Sequence, residues 1–209
     1  MFYAQTRTTN DPIVLTKIAL KNPAVVNGYT YNSKVPDELQ GDYNRAIFEH
    51  GLFYQDLSDL FHQTYPNPPY SMEHFTDMLK SHFGFSTTII CFTNLQNTDL
   101  KGRWKWDDES MRNFTIWVNN NLPDTVRKTT VIHECLHAVQ DVDPKFLTML
   151  GAQHVLLRRP LADRIAQKCA VEMVLPRAEY ERCMRKGMTS AQIADSYAVS
   201  MALVRNYRS

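Results

Sequence analysis

The chain has 209 residues, of which 44% are hydrophobic and 22% are charged, and its formal net charge is +1. This length and composition predict a globular protein with a substantial hydrophobic core, in one domain or in one domain with a small appendage. The net charge is too small to indicate that the molecule as a whole binds nucleic acid or a membrane surface electrostatically. Charge is nevertheless uneven, because ten basic and five acidic residues lie from Arg158 onward. That asymmetry indicates either a basic binding face or a solvated helical surface.

The sequence carries no signal for export or for membrane insertion. The N-terminus lacks a charged segment followed by an apolar one, and no apolar run is long enough to span a bilayer. The cysteines form no C-x-x-C pair, which predicts free thiols in a reducing compartment; they are Cys91, Cys135, Cys169 and Cys183. We therefore expect a cytoplasmic protein with no membrane partner.

The first third of the chain predicts an irregular arm followed by two helices. Residues 1–42 show little periodicity and several turn signals, so we expect an irregular N-terminal arm there. Apolar residues recur at three- and four-residue steps over residues 43–61, which predicts a helix that Gly51 weakens. A proline cluster at residues 66–69 breaks it, and a second helix follows from its cap, Ser71, to a stop at Gly84.

Three segments that favour β-structure come next. Ser86–Thr93 is rich in β-branched and aromatic residues, Leu100–Trp106 resembles one arm of a hairpin, and Asn113–Asn119 alternates apolar and polar residues. These segments predict a small sheet. The last of them either covers the core or forms a sheet edge, where Thr115 and Trp117 would lie along a bound substrate backbone.

The rest of the chain is predicted to be helical. Asp124 caps a long helix that ends at Asp143-Pro144. A helical region then extends from residue 146 to residue 175, with an interruption near Pro160, and a short helix covers Glu179–Lys186. Two further helices follow over residues 189–208.

The long helix contains the sequence His133-Glu134-Cys135-Leu136-His137, an H-E-x-x-H motif. Residues four apart lie on one face of a helix, so the two imidazoles are spaced to share a metal ion. Glu134 is placed beside them to act as a general base on a water molecule. The alternative is a buried structural helix that carries two histidines and no metal site.

A catalytic zinc site needs a third protein ligand, and four residues downstream are candidates. Asp143 stands six residues after His137, but Gln140 occupies the position where that geometry normally needs a glycine. His154, in a segment with no clear register, is a ligand, an oxyanion-stabilising group or a surface histidine. Glu172 is either a ligand or a solvent-facing residue of a helix that must also bury Ala166, Cys169 and Ala170.

Asp163 is the candidate that the sequence favours. It begins a helical run in which Ala166 and Ala170 lie on the same stripe, and small residues there would let this run pack close to the motif helix. The alternative is a solvated carboxylate at a helix N-terminus, which the helix dipole stabilises. The residues alone do not decide between these two interpretations.

The segment Asp163–Pro176 (DRIAQKCAVEMVLP), 26 residues after His137, resembles the second signature of the ImmA/IrrE metallopeptidases. That signature is an acidic residue followed by x-x-Ala-Asn-x-Phe-Ala and an apolar segment that ends in proline. The resemblance covers roughly residues 70–209 and includes the asparagine-ended strand at 114–121. It implies that Asp163 is the third metal ligand.

The chain departs from the family pattern at several positions. Cys135-Leu136 stands where the family commonly has Leu-Gly, and Asp163 stands where the family usually has glutamate. Gln167 and Cys169 replace asparagine and phenylalanine. Because aspartate is one methylene shorter than glutamate, the two helices must approach more closely if Asp163 is to reach the metal.

The resemblance implies an α+β fold with a zincin-like metallopeptidase body over residues 43–178, built from a small mixed or antiparallel sheet and an active-site helix. It implies Zn²⁺ as the cofactor, with Mn²⁺ as a second possibility at a carboxylate-containing site. It further implies limited proteolysis of a regulatory protein, typically a helix-turn-helix transcriptional repressor. The alternative is a non-proteolytic, metal-stabilised regulator that binds DNA or protein through its basic C-terminal part.

Residues 179–209 predict a helical, helix-turn-helix-like segment. Thr189 and Gln192 form a capping box for one helix, and Ser200 caps the next. DNA binding would require side chains of the second helix to reach bases or phosphates, and the candidates are Met201, Arg205 and Arg208. The alternative is a helical staple or a protein-docking surface.

Overall fold

The computed structural model describes residues 35–92, 101–108 and 112–207. This part of the chain is a mixed α+β fold in which helices surround one small sheet. A 3₁₀ turn at Asp37–Leu39 precedes the helices, which are α1 (Gln40–His50), α2 (Gln55–Thr64), α3 (Met72–Phe83), α4 (Asp124–Val142), α5 (Pro144–Gly151), α6 (Val155–Val174), α7 (Arg177–Arg185), α8 (Ser190–Tyr197) and α9 (Met201–Asn206). None of these helices is both long enough and apolar enough to cross a membrane.

The N-terminal helices differ from the sequence prediction in two respects. Helix α1 begins at Gln40, and the 3₁₀ turn lies before it, so residues 37–42 are not part of an irregular arm; residues 1–34 of that predicted arm lie outside the described residues. The single helix expected over residues 43–61 is two helices, since α1 ends at His50 and α2 begins at Gln55. Four turn residues, of which Gly51 is the first, separate them.

Helix α3 has the predicted ends. The side chain of Ser71 accepts a hydrogen bond from the backbone N–H of His74, and the His74 ring accepts one from the Ser71 N–H, so the two residues form a capping box. At the other end Gly84 adopts a left-handed conformation with φ 69°, which glycine allows at little cost.

The sheet is mixed, and its strand order is not the chain order. The strands are β1 (Ser86–Phe92), β2 (Gly102–Asp108) and β3 (Asn113–Asn119), with β3 between the other two. Strand β3 pairs in parallel with β1 and antiparallel with β2. The prediction that β3 forms a sheet edge is therefore wrong, because its backbone is paired on both sides.

One face of the sheet packs against α4. Alternate residues of β3 point to this face and are fully buried in the same core cluster as Ile132 and Leu136 of α4; they are Phe114, Ile116 and Val118. Helix α6 covers the other side of α4 with three fully buried alanines, Ala162, Ala166 and Ala170. Their small side chains allow the two helices to approach closely.

Helix α6 passes through Pro160 without the interruption that the sequence predicts there. The break in the helical region lies instead at residues 152–154, where the His154 ring accepts a hydrogen bond from the Leu156 N–H and caps the helix. Pro160 is in the second turn, and the helix bond that it withholds is the one to the Leu156 carbonyl. Asp163 consequently lies inside α6 and does not open a helix, so the dipole explanation for its carboxylate is wrong.

We expect Gly102→Ala to destabilise the protein by about 1–3 kcal/mol, because β2 lies directly on α4 at this residue. A Cβ at Gly102 would stand 2.6 Å from Thr130 Cγ2 and 3.3 Å from Glu134 Cγ. The matched control is Gly41→Ala in α1, where an added Cβ meets nothing within 4 Å. The control should stabilise by about 0.5–1 kcal/mol through its higher helix propensity. Equal stability of the two variants in urea unfolding would show that β2 and α4 are not in tight contact.

Candidate metal centre

Three side chains from two helices converge on one point. His133 and His137 project from consecutive turns of α4, and Asp163 projects from the middle of α6. The two Nε2 atoms of the histidines are 3.1 Å apart. Asp163 Oδ1 lies 3.2 Å from Nε2 of His133 and 3.7 Å from Nε2 of His137. The structure thus brings together the three residues that the sequence and the family resemblance singled out as ligands.

The spacing of these three atoms fits a tetrahedral metal ion. Two ligand atoms of zinc with bonds of about 2.0–2.1 Å stand about 3.3–3.4 Å apart, close to the three separations observed here. Two imidazole nitrogens and one carboxylate oxygen are also a donor set that zinc accepts. Among the described residues, His133, His137 and Asp163 form the group of three whose ligand atoms could hold a metal ion.

The electrostatics of the cluster keep Asp163 ionised. Burial by itself would raise the pKa of Asp163, but hydrogen bonds from His133 and His137 and their charges outweigh burial and hold the pKa well below its ordinary value. Burial by itself would lower the pKa of His137, but the hydrogen bond to Asp163 and the charge of Glu134 outweigh burial and raise that pKa. The raised pKa of His137 and the lowered pKa of Asp163 show that these two side chains interact favourably where α4 meets α6.

Exposure differs among the three groups. The imidazoles are almost entirely buried, whereas the Asp163 side chain is 37% exposed. The cluster therefore opens to solvent on the Asp163 side, which leaves an approach for a water molecule or a substrate. An open fourth position distinguishes a catalytic zinc site from a structural one.

Glu134 is buried beside the cluster, with 2% of its surface exposed. Its methylene chain lies against the backbone of Gly102 in β2, where a Cβ would be 3.3 Å from Glu134 Cγ. A residue with a side chain at position 102 would occupy space that Glu134 uses. No sequence pattern connects these two residues, because Gly102 has the appearance of an ordinary strand position.

Gln140 is a residue of the site that sequence reasoning did not assign. It is fully buried in α4, three residues after His137. Its side-chain oxygen is 2.8 Å from His137 Nδ1, and its side-chain nitrogen donates to the backbone carbonyl of Ala162 at 2.9 Å. Gln140 thereby connects a residue of the cluster to the backbone of α6 one position before Asp163.

The other candidate ligands have different roles. Asp143 caps α5 by accepting hydrogen bonds from the N–H groups of Lys145 and Phe146. Glu172, near the end of α6, accepts hydrogen bonds from the Arg177 N–H and from the Tyr207 hydroxyl. The exposed His154 caps α6, so its proposed role as an oxyanion donor finds no support in its position.

Thr115 and Trp117 lie on the sheet face opposite to α4, because Phe114, Ile116 and Val118 between them face α4. The hydroxyl of Thr115 donates to Asp107 Oδ2 at 2.6 Å, and the Arg103 guanidinium lies 5.0 Å from the centre of the Trp117 ring. Neither residue is at an edge, so their assignment to a substrate-binding edge strand is wrong. Strand β2 is the outer strand that contacts α4.

The C-terminal helices have the predicted caps and pack on the body. The side chains of Thr189 and Ser200 accept hydrogen bonds from backbone N–H groups in the first turns of α8 and α9, and between the helices Ala198 has φ 48°, a conformation usually taken by glycine. The ammonium of buried Lys128 donates to the Tyr197 carbonyl at 3.2 Å. The Tyr207 ring stacks on the Tyr180 ring at 4.9 Å.

The residues that were candidates for DNA contact are unequally placed. Arg205 is exposed, whereas Met201 is partly buried against the core. Arg208 lies outside the described residues. The apolar side chains of α9, Leu203 and Val204, are buried in the same core cluster as α4. These contacts favour a helical pair that stabilises the body.

Comparisons with known proteins agree with this geometry. The model of the Peptidase M78 family, described as the IrrE N-terminal-like domain, matches residues 87–207. The fold is similar to that of a Mycobacterium tuberculosis transcriptional regulator, with a TM-score of 0.58 and 13% sequence identity over 80% of this chain and 50% of that protein. No curated protein matches the chain. This chain thus spans half the length of its structural neighbour, and that likeness shows the fold alone. Since the family match covers more than half of the sequence and includes all three converging residues, the protein belongs to the Peptidase M78, IrrE N-terminal-like family.

Proposed function

We propose that this protein is a zinc-dependent endopeptidase that performs limited cleavage of a regulatory protein. The observation that carries the proposal is the convergence of His133, His137 and Asp163 at tetrahedral spacing next to the buried carboxylate of Glu134. Membership of a peptidase family supports the same reaction class. A non-catalytic metal site would have no chemical need for Glu134 at this position.

His133, His137 and Asp163 are the residues that would hold the ion. Bound zinc would supply a Lewis acid that polarises the scissile carbonyl and lowers the pKa of water. The shorter side chain of Asp163, relative to the glutamate common in the family, is matched by the close approach of α6 to α4 through buried alanines.

Glu134 would act as the general base and then as the general acid. Its carboxylate would take the proton from the attacking water and pass it to the leaving amine of the cleaved peptide. Burial keeps bulk solvent away from the Glu134 carboxylate. The contact with Gly102 limits the positions that the Glu134 side chain can adopt.

Strand β2 replaces β3 as the proposed contact for the substrate backbone. It is an outer strand of the described sheet, and Gly102 at its start lies against Glu134. A peptide that adds to this strand would pass beside the general base. The exposed charged residues of β2 include Arg103 and Lys105 and also Asp107 and Asp108, so the strand presents both signs of charge to such a peptide.

The proposed substrate is a helix-turn-helix transcriptional repressor, whose cleavage would switch on the genes that it silences. The support for this substrate is the family resemblance, in which such cleavage is the usual task. The structural neighbour is itself named a transcriptional regulator. Direct DNA binding by this chain is a weaker proposal, since the apolar face of α9 is used for packing.

We expect Asp163→Ala to lower zinc affinity at least about tenfold, because two histidines alone do not complete a catalytic site. Asp195→Ala, which removes an exposed carboxylate from α8, is the matched control and should bind one zinc per chain as the wild type does. Metal stoichiometry and competition with a chelator would measure both, with manganese tested in parallel. Wild-type affinity in Asp163→Ala would exclude Asp163 as a ligand.

We expect Glu134→Gln to keep the zinc and the fold but to slow peptide cleavage by about 10²–10⁴-fold, the usual contribution of a general base. Glu38→Gln, on the exposed 3₁₀ turn, should cleave as the wild type does. The measurement is the count of new protein N-termini, by mass spectrometry, after each zinc-loaded protein is incubated with lysate of its host. New N-termini that appear equally with Glu134→Gln would exclude this role for Glu134. Their absence with zinc-loaded wild type would instead favour a non-proteolytic, metal-stabilised regulator.

A further inference from the structure

Gln140 is an amide in a place where an unpaired amide would be costly. The residue is fully buried in α4, between the sheet and α6. A buried polar group that lacks hydrogen bonds destabilises a fold by about 1–3 kcal/mol. Both ends of the Gln140 amide are satisfied, and one of the two partners is a residue of the proposed metal site.

The two hydrogen bonds determine which way the amide points. The Ala162 carbonyl can only accept a hydrogen bond, so the NH₂ group of Gln140 faces Ala162 and the amide oxygen faces His137. The amide oxygen can also only accept, so the hydrogen in the second bond belongs to Nδ1 of His137. A neutral imidazole that carries its hydrogen on Nδ1 has its lone pair on Nε2.

That lone pair points to the cluster. Nε2 of His137 is the atom that lies 3.1 Å from Nε2 of His133 and 3.7 Å from Asp163 Oδ1. The hydrogen bond that His137 Nδ1 donates to the Gln140 amide oxygen therefore presents the neutral His137 ring in the tautomer that a metal ion requires. Within the described part of the chain, the buried Nδ1 of His133 has no corresponding hydrogen-bond partner.

The same side chain also determines where α6 lies relative to α4. Its bond to the Ala162 carbonyl is immediately before Asp163 in the chain. The Gln140 amide thus orients His137 of α4 and hydrogen-bonds to the α6 backbone next to Asp163. The linked bonds run from His137 through Gln140 to the residue beside Asp163.

We propose that Gln140 is a positioning residue for the metal centre, which sets the tautomer of His137 and the separation between the His137 and Asp163 ligand atoms. The inference rests on the metal site of the proposed function, and it does not depend on which protein is cleaved. Groups that orient a metal-bound histidine through its second nitrogen typically change metal affinity by about 10–100-fold when removed.

Two substitutions separate positioning from simple packing. Gln140→Met has a similar length and no hydrogen bonds, so it removes both contacts. Gln140→Glu keeps an oxygen that accepts from His137 Nδ1 and loses the donor to Ala162. Positioning of His137 predicts a loss of zinc affinity of about 10–100-fold in Gln140→Met and a substantially smaller loss in Gln140→Glu. If Gln140 only stabilises the fold, Gln140→Glu should bind zinc no better than Gln140→Met, because a buried carboxylate that faces a carbonyl oxygen is unfavourable.

The tautomer has a second readout that needs no metal. Nitrogen-15 spectra of the metal-free protein at alkaline pH, where imidazoles are neutral, distinguish a protonated Nδ1 from a protonated Nε2. We expect the His137 ring to carry its hydrogen on Nδ1 in the wild type and in the control Gln167→Met on α6, and to become a mixture of tautomers in Gln140→Met.

Wild-type zinc affinity in Gln140→Met, or an unchanged His137 tautomer in that variant, would overturn the proposed role of Gln140. Failure of the wild type to bind zinc or manganese would instead overturn the proposed function. The nitrogen-15 spectra would still decide the role of Gln140 in that case, because they are recorded without metal.

Discussion

The close approach of α4 and α6 is the constraint that brings the third candidate ligand, Asp163, to the two histidines. An aspartate side chain is short, and its Oδ1 can lie 3.2 Å from His133 only if the two helices are in close contact. Ala162, Ala166 and Ala170 make that contact possible, because each is fully buried and none extends beyond a methyl group. A leucine at any of these fully buried positions would overpack the contact between the two helices.

Helix α4 lies between the sheet and α6, so buried polar residues on it destabilise the fold unless they form hydrogen bonds. It nevertheless buries Glu134, Gln140 and Asp141. The indole N–H of Trp106 donates to Asp141 at 2.7 Å, which ties β2 to the end of α4. Gln140 makes the corresponding tie to α6. Buried polar groups therefore hold the strand and the second helix in place around the two histidines.

Local features of the sequence were sufficient to predict much of this structure. The spacing of His133 and His137 is a property of any helix, and the bounds of β3 and the capping of α3 follow from alternation and from cap residues. The stripe of alanines also led to Asp163, since small residues on one face indicate close helix packing. That Asp163 lies beside both histidines is known only from the structure.

The missed features depend on partners that are distant in the chain. Strand order was one of them, because the parallel pairing of β1 with β3 leaves no mark in either segment. Gln140 was another, because its second partner is a backbone carbonyl 22 residues away. Pro160 is a proline that usually ends a helix and here does not, since it lies near the start of α6. In the first two cases the deciding partner is distant in the chain, and in the third it is the position of the proline within the helix.

The most direct test of the account is anomalous diffraction at the zinc absorption edge, measured on crystals grown with zinc. We expect one strong peak per chain, about 2.0–2.2 Å from Nε2 of His133, Nε2 of His137 and a carboxylate oxygen of Asp163, with the remaining position open to solvent. A peak that lies elsewhere, or a zinc ion whose third protein ligand is not Asp163, would contradict it.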